Sequence, residues 1–246
     1  MKKFLILFLL SNLVLAQVEE IKYEVIYKSK FSEFALNKFK EDKRTNINRE
    51  DFLQKTQNPK PSYYTLTNDK KSSKLVYESS INNEQNSNLE VNIKPFGSGP
   101  IYKFSSKDSI NSYTEYPILG KNIFTKKELQ KLIWTKINND SIILNFNTRQ
   151  YKAENQDATY TIWVTNQLPN NLGISDLFFQ DGFILKIKIT KKPTQVFDYE
   201  IIEAYPLSIK TKKVKNYKEL ELRNINIYSE LQIKDMYKNF NSTPIQ

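Results

Sequence analysis

Neither cysteine nor histidine occurs anywhere in the 246-residue chain. Their absence rules out a disulfide framework, a Cys/His zinc centre, a cysteine or serine–histidine nucleophile, and any histidine acid, base or pH switch. Glycine is also scarce, at 5 residues. No G-x-S-x-G elbow, Walker A loop or G-x-G-x-x-G fingerprint is present. Gly97-Ser98-Gly99 only brushes the first of these patterns, and no histidine exists to activate its serine. No S-x-x-K pair offers a serine–lysine mechanism instead.

What the chain does carry is positive charge and aromatic side chains. Lys and Arg number 37 against 27 Asp and Glu, for a formal net charge of +10, and 13% of residues are aromatic. Residues 1–16 read as a cleaved secretory signal peptide. Met1-Lys2-Lys3 is its positive start, Phe4 to Leu10 its apolar core, and Val14-Leu15-Ala16 its cleavage position. That core is too short to anchor the chain, since a spanning helix needs about 20 apolar residues. No later stretch is apolar enough to span a bilayer, and without cysteine there is no lipobox. The expected product, residues 17–246, is therefore secreted or periplasmic. It is long enough to form one domain without covalent staples.

Strand patterns dominate the mature chain. Ile21 to Tyr27 alternates apolar and polar residues, as an opening strand with one buried face would. Phe31, Phe34, Leu36 and Phe39 stand close to helical spacing. The charged run Glu41-Asp42-Lys43-Arg44 and the polar stretch to Pro61 read as a solvated, partly helical excursion. Tyr63–Leu66 and Leu75–Tyr77 form strands around a hairpin turn at Asn68-Asp69-Lys70-Lys71. Residues 79–90 are rich in Ser and Asn and read as a loop. Gly97-Ser98-Gly99-Pro100 is a tight turn before strands at Ile101–Phe104 and Ser112–Tyr116.

Further along, Thr125-Lys126-Lys127-Glu128 has the form of a capping box and predicts a short helical turn before Trp134. Leu132–Ile137 and Ile142–Ala153 read as strands turning through Asn138-Asn139-Asp140. Thr159–Val164 is a β-branched and aromatic strand. Pro169-Asn170-Asn171 and Gly173 make a loop. Phe183–Ile189 alternates apolar residues with lysine, and Val196–Tyr205 pairs with it across Lys191–Thr194. The tail, Lys218–Leu222 and Leu231–Phe240, reads as partly helical. The expected fold is mainly β: about ten strands in a curved antiparallel sheet or open barrel-like domain, with a few short helices, some at the C-terminus.

The segment from Trp134 to Ile189 resembles the GLPGLI family of secreted Bacteroidetes proteins. Trp134 matches the tryptophan that opens a strand in that family, and Lys152-Ala153 its Lys-Ala pair. Ile162-Trp163-Val164 with Leu168-Pro169 resembles the aromatic-Trp strand and its proline loop. Leu172-Gly173 stands near the Gly-Pro position, and Phe179-Gln180-Asp181-Gly182-Phe183-Ile184 takes the place of the naming motif. Order and spacing carry the match more than identity does: only Gly182 and Ile184 agree strictly with the name. The resemblance implies an exported β-rich fold with no established activity. The family is in turn similar to the bowl-shaped N-terminal module of certain secreted peptide-N-glycosidases. That similarity implies a scaffold or binding module whose chemistry would lie in another domain.

From the residues alone, no catalytic, cofactor-binding or metal-ligating position is assigned. Trp134 and Trp163 are expected to fill the core. Asp140, Asp157, Asp176 and Asp181 all fall in predicted turns, where acidic residues are usual, and no EF-hand spacing appears among them. Heavy use of Lys, Asn and Ile is common in proteins of AT-rich genomes, so the positive charge reads first as a solvated surface. Lys186 and Lys188 on one strand face, and Lys210, Lys212, Lys213 and Lys215, are expected to protect edges or attract an acidic envelope rather than bind nucleic acid. The leading reading is a non-catalytic exported protein, a binding or envelope accessory for an unknown protein, peptide or glycan, with no cofactor. The alternative is a secreted hydrolase acting on glycans through paired carboxylates, which need to stand about 5 to 9.5 Å apart. A purely structural protein is the third option.

Overall fold

The computed structural model describes residues 16–41, 49–57, 59–69, 71–78, 93–105, 110–120, 123–168, 172–214 and 225–242. The signal sequence up to residue 15, Asp42-Lys43-Arg44, the Ser/Asn-rich stretch, Pro169-Asn170-Asn171, Lys215 and Lys218–Leu222 lie outside these residues.

Alternation in the first strand organises the molecule. In β1 (Ala16–Phe31), Ile21, Tyr23, Val25 and Tyr27 are buried, while Lys22, Glu24, Ile26 and Lys28 between them face the other way. β1 lies in the middle of a twelve-stranded sheet. On one side follow β2 (Ser62–Asn68), β3 (Ser72–Glu78), β4 (Ile101–Ser105), β5 (Ile110–Glu115), β6 (Ile123–Glu128) and β14 (Asn226–Tyr228). On the other side follow β13 (Phe197–Val214), β12 (Phe183–Lys191), β10 (Ala158–Thr165), β9 (Phe146–Glu154) and β8 (Thr135–Ile143). Neighbours are antiparallel except β14, which runs parallel to β6. A separate parallel pair joins β7 (Gln130–Lys131) to β11 (Leu177–Phe178).

The mainly-β expectation holds, and the sheet stays open rather than closing into a barrel. Among the described residues three short α-helices accompany it: α1 (Glu33–Glu41), α2 (Arg49–Gln57) and the C-terminal α3 (Glu230–Ser242). Ser32 caps α1 by accepting the Ala35 N–H at 3.2 Å. The predicted hairpin between β2 and β3 forms because Asp69 Oδ1 accepts the N–H groups of Lys71 and Ser72, at 2.6 and 2.7 Å.

One sheet face carries the core. Tyr23, Tyr64, Leu66, Leu75, Ile162 and Ile187 pack there beneath Leu168, Ile174 and Phe179 from the chain between β10 and β12, and beside Phe183 at the start of β12. Burying each such apolar side chain is worth about 1.5–3 kcal/mol. Trp134 takes its expected place, packed against this cluster and donating its indole N–H to Phe178 O at 3.2 Å.

Three local expectations are corrected. Thr125–Glu128 is strand β6, not a helical turn: Thr125 pairs with Thr114 and Phe124 is buried, so cross-strand burial overrides the capping pattern. Asn138-Asn139-Asp140 is not the β8–β9 turn but a bulge within β8, between the Ile137–Gln150 and Ser141–Thr148 pairs. The turn itself falls at Leu144-Asn145, both at positive φ, 47° and 69°. Finally, Trp163 points to the face opposite Ile162 and is not in the core, because strand alternation assigns neighbours to opposite faces.

A buried lysine ties β4 to the covering chain. Lys103 is fully buried and donates from Nζ to Gly173 O at 2.7 Å and Ser175 O at 2.6 Å. Burial lowers its pKa from 10.5 to about 8, against the pull of Asp176. Between these two pH values the unfolded chain holds this proton and the folded chain has released it, so the lysine's contribution to stability rises with pH across that window. Denaturant unfolding of wild type and Lys103→Met from pH 8 to 10.5 should show the wild type gaining on the variant by up to about 3 kcal/mol. The buried tyrosines are common to both proteins and cancel. A constant difference across the window would refute the assignment.

Candidate functional site

The β8–β9 hairpin, the end of β10 and the turn before β12 enclose a groove of about 740 Å³. Register explains the positions of its side chains. Arg149 lies opposite Val164, and Tyr151 opposite Ile162, so both rise on the core face, where the covering chain ends. The Tyr151 ring stands 4.6 Å from that of Phe179, which also meets Trp134 edge-on at 5.9 Å. These ring contacts hold one wall of the groove from behind. Thr148 is fixed by a 2.9 Å contact between its hydroxyl and that of Ser141. The Asn147 N–H donates to Gln167 Oε1 at 2.7 Å, joining the hairpin to the chain after β10.

The four aspartates considered from sequence separate into two groups. Asp140, in the β8 bulge, and Asp181, in the turn before β12, both line the groove. Asp157 sits in the β9–β10 turn, where Asn155 Oδ1 accepts its N–H at 2.9 Å. Asp176 faces Lys127 at 3.6 Å on the far side of the covering chain. Among the described residues no cluster of acidic side chains suited to a metal ion occurs. Sequence alone does not point to Arg149 and Tyr151: their strand is legible, but nothing local distinguishes them from other strand residues. What singles them out is the neighbouring strand's register.

On the opposite sheet face lies a second polar cluster. Lys186, which pairs with Trp163, has its Nζ 4.2 Å from the Trp163 ring centroid and 4.4 Å from that of Tyr205. Tyr205 donates to Glu203 at 2.7 Å, and Glu203 pairs with Lys188 at 3.1 Å. Burial pushes the Tyr205 hydroxyl up to about 12, helped by Glu203. Burial also lowers the Lys186 pKa. For Glu203 burial works the other way, yet the Tyr205 and Lys188 bonds hold its carboxyl below the usual range. These groups satisfy one another. They form a cross-strand ladder rather than a site.

No family model and no curated protein matches this chain. Two solved structures of PNGF-II, in different space groups, are similar in fold. Each gives a TM-score of 0.51 over 90% of this chain, at 17% and 18% identity. The chain spans about a third of their length, 32% and 33%.

Gly182 follows Asp181 in the turn that borders the groove. It has φ +153°, and a Cβ there would stand 2.4 Å from Asn166 Oδ1 and 2.7 Å from Val164 Cγ1. Gly182→Ala should lower stability by about 1–3 kcal/mol in denaturant unfolding. A variant as stable as wild type would show that the turn is not held this tightly.

Proposed function

We propose that this chain is an exported, non-catalytic member of a GLPGLI-like group, acting outside the cytoplasm by binding a glycan in the groove beside Arg149 and Tyr151. The observation that carries the reading is the groove itself. Its volume, about 740 Å³, suits a small ligand, and its walls combine an aromatic ring with a guanidinium, carboxylates and side-chain amides. Polyhydroxylated rings need that combination: amides, carboxylates and guanidinium hydrogen-bond to hydroxyls, while an aromatic side chain covers an apolar sugar face. The fold likeness to PNGF-II supports the reading. So does the expected similarity to the non-catalytic module of secreted peptide-N-glycosidases.

A specific observation favours a second reading, a glycan hydrolase: Asp140 and Asp181 line the same groove. Retaining and inverting glycosidases both use such a pair. The two readings part on turnover. Calorimetric titration of the mature protein against a panel of oligosaccharides should reveal binding. Arg149→Ala and Tyr151→Ala should each weaken it by about tenfold, about 1.4 kcal/mol, with no new reducing ends released. Release of reducing ends that is lost in Asp140→Asn and Asp181→Asn would make the hydrolase the correct account. Failure to bind any member of the panel would sink both and leave the structural role.

A further inference from the structure

A second groove, of about 520 Å³, adjoins the first. Gln167 lines both, while the hairpin neighbours Phe146 and Asn147 line one each. The two therefore share Gln167 as a common wall. Their chemistry differs. The first is walled by charged and amide groups. The second adds Leu144, Phe146, Leu207 and Ile209, of which Leu144 and Leu207 remain 39% and 49% exposed.

Two features mark this junction as built for a ligand. The first is Gln167. Its Oε1 is committed to the Asn147 N–H at 2.7 Å, and its own N–H donates to Thr165 Oγ1 at 3.3 Å. With the oxygen committed, the amide orientation is set and Nε2 carries two N–H donors. Gln167 is exposed at this junction, so these donors can reach a molecule lying in the cleft. The second is Leu144, held at φ 47° at the hairpin tip. Asn-Gly is the pair that such a two-residue turn favours, and a bulky residue there costs backbone energy. That cost brings an apolar side chain to the rim of the second groove, the kind of local strain that concentrates at ligand sites.

We propose that one linear oligosaccharide lies along both grooves and crosses over Gln167, which donates to it at the saddle while Leu144 and Phe146 cover an apolar sugar face beyond. This rests on the glycan reading of the first groove and adds the ligand's length and direction. A sugar chain suits a cleft that passes from polar to mixed walls, because each ring offers hydroxyl edges and an apolar face.

The test is a length series. Chito- and manno-oligosaccharides from monosaccharide to hexasaccharide are titrated into wild type, Gln167→Glu and Leu144→Asn, alongside denaturant unfolding of each protein. In wild type, affinity should climb by about tenfold or more once the chain is long enough to enter the second groove. Gln167→Glu keeps an oxygen for the Asn147 N–H and removes the donors. It should leave unfolding unchanged and abolish the gain in affinity on lengthening. Leu144→Asn relieves the turn, so the variant should be at least as stable as wild type while losing affinity for long chains alone. Short chains that bind with no gain on lengthening overturn the proposal and leave the glycan reading intact. Variants that weaken short and long chains equally also overturn it. Binding of unglycosylated peptides with no response to either sugar series overturns the proposal and the glycan reading together.

Discussion

The pairing of β1 with β13 is the interaction on which the rest of the structure depends. It runs from Ala16 opposite Val214 to Phe31 opposite Phe197, joining the described chain near its start to a segment close to its end. Contacts such as Thr211 Oγ1 with Glu19 span 192 residues of sequence. Loop closure over that distance is entropically costly and is offset only when both long strands zip together. Side chains reinforce the pairing: Tyr27 donates to Glu200 at 2.8 Å, and Lys191 on β12 reaches the same carboxylate at 3.1 Å. With β1 placed in this way, the β2–β6 series extends on one side and the β12–β8 series on the other.

The two sheet faces then serve different purposes. One is sealed by the chain between β10 and β12, and this covering segment is held from two directions. Lys103 grips Gly173 and Ser175 at its middle, and the contacts of Phe179 with Trp134 and Tyr151 hold its later part. The groove lies where this cover meets the β8–β9 hairpin, with Arg149 and Tyr151 on a core-facing surface beside the Asp181 turn. The other face is polar and self-satisfied, with Lys186 between Trp163 and Tyr205. An aromatic residue there stabilises the sheet through its neighbours rather than by burial in the core.

Much of the fold was legible because alternation and turn chemistry are local. The strands at Ile21–Tyr27, Thr159–Val164 and Phe183–Ile189 lie within the observed ones, and so does the helix at Leu231–Phe240. The errors share one cause. Thr125–Glu128 looks like a helix start and Asn138–Asp140 like a turn when each is read through its own residues. Partner strands decided otherwise, pairing Thr125 with Thr114 and drawing the three polar residues into a bulge. Leu144-Asn145, the actual turn, lacks the glycine that would have announced it.

By itself the sequence determined the class of the molecule: absent cysteine and histidine excluded whole chemistries, and period-two alternation dictated a β-rich body, because side-chain inventory and strand pleat are properties of the chain alone. Which aspartates line the groove, which face Trp163 takes, and that Arg149, Tyr151 and Gln167 line it too were decided only by tertiary structure. Those relations depend on the register between strands far apart in sequence, and a one-residue slip in that register would send every side chain to the opposite face.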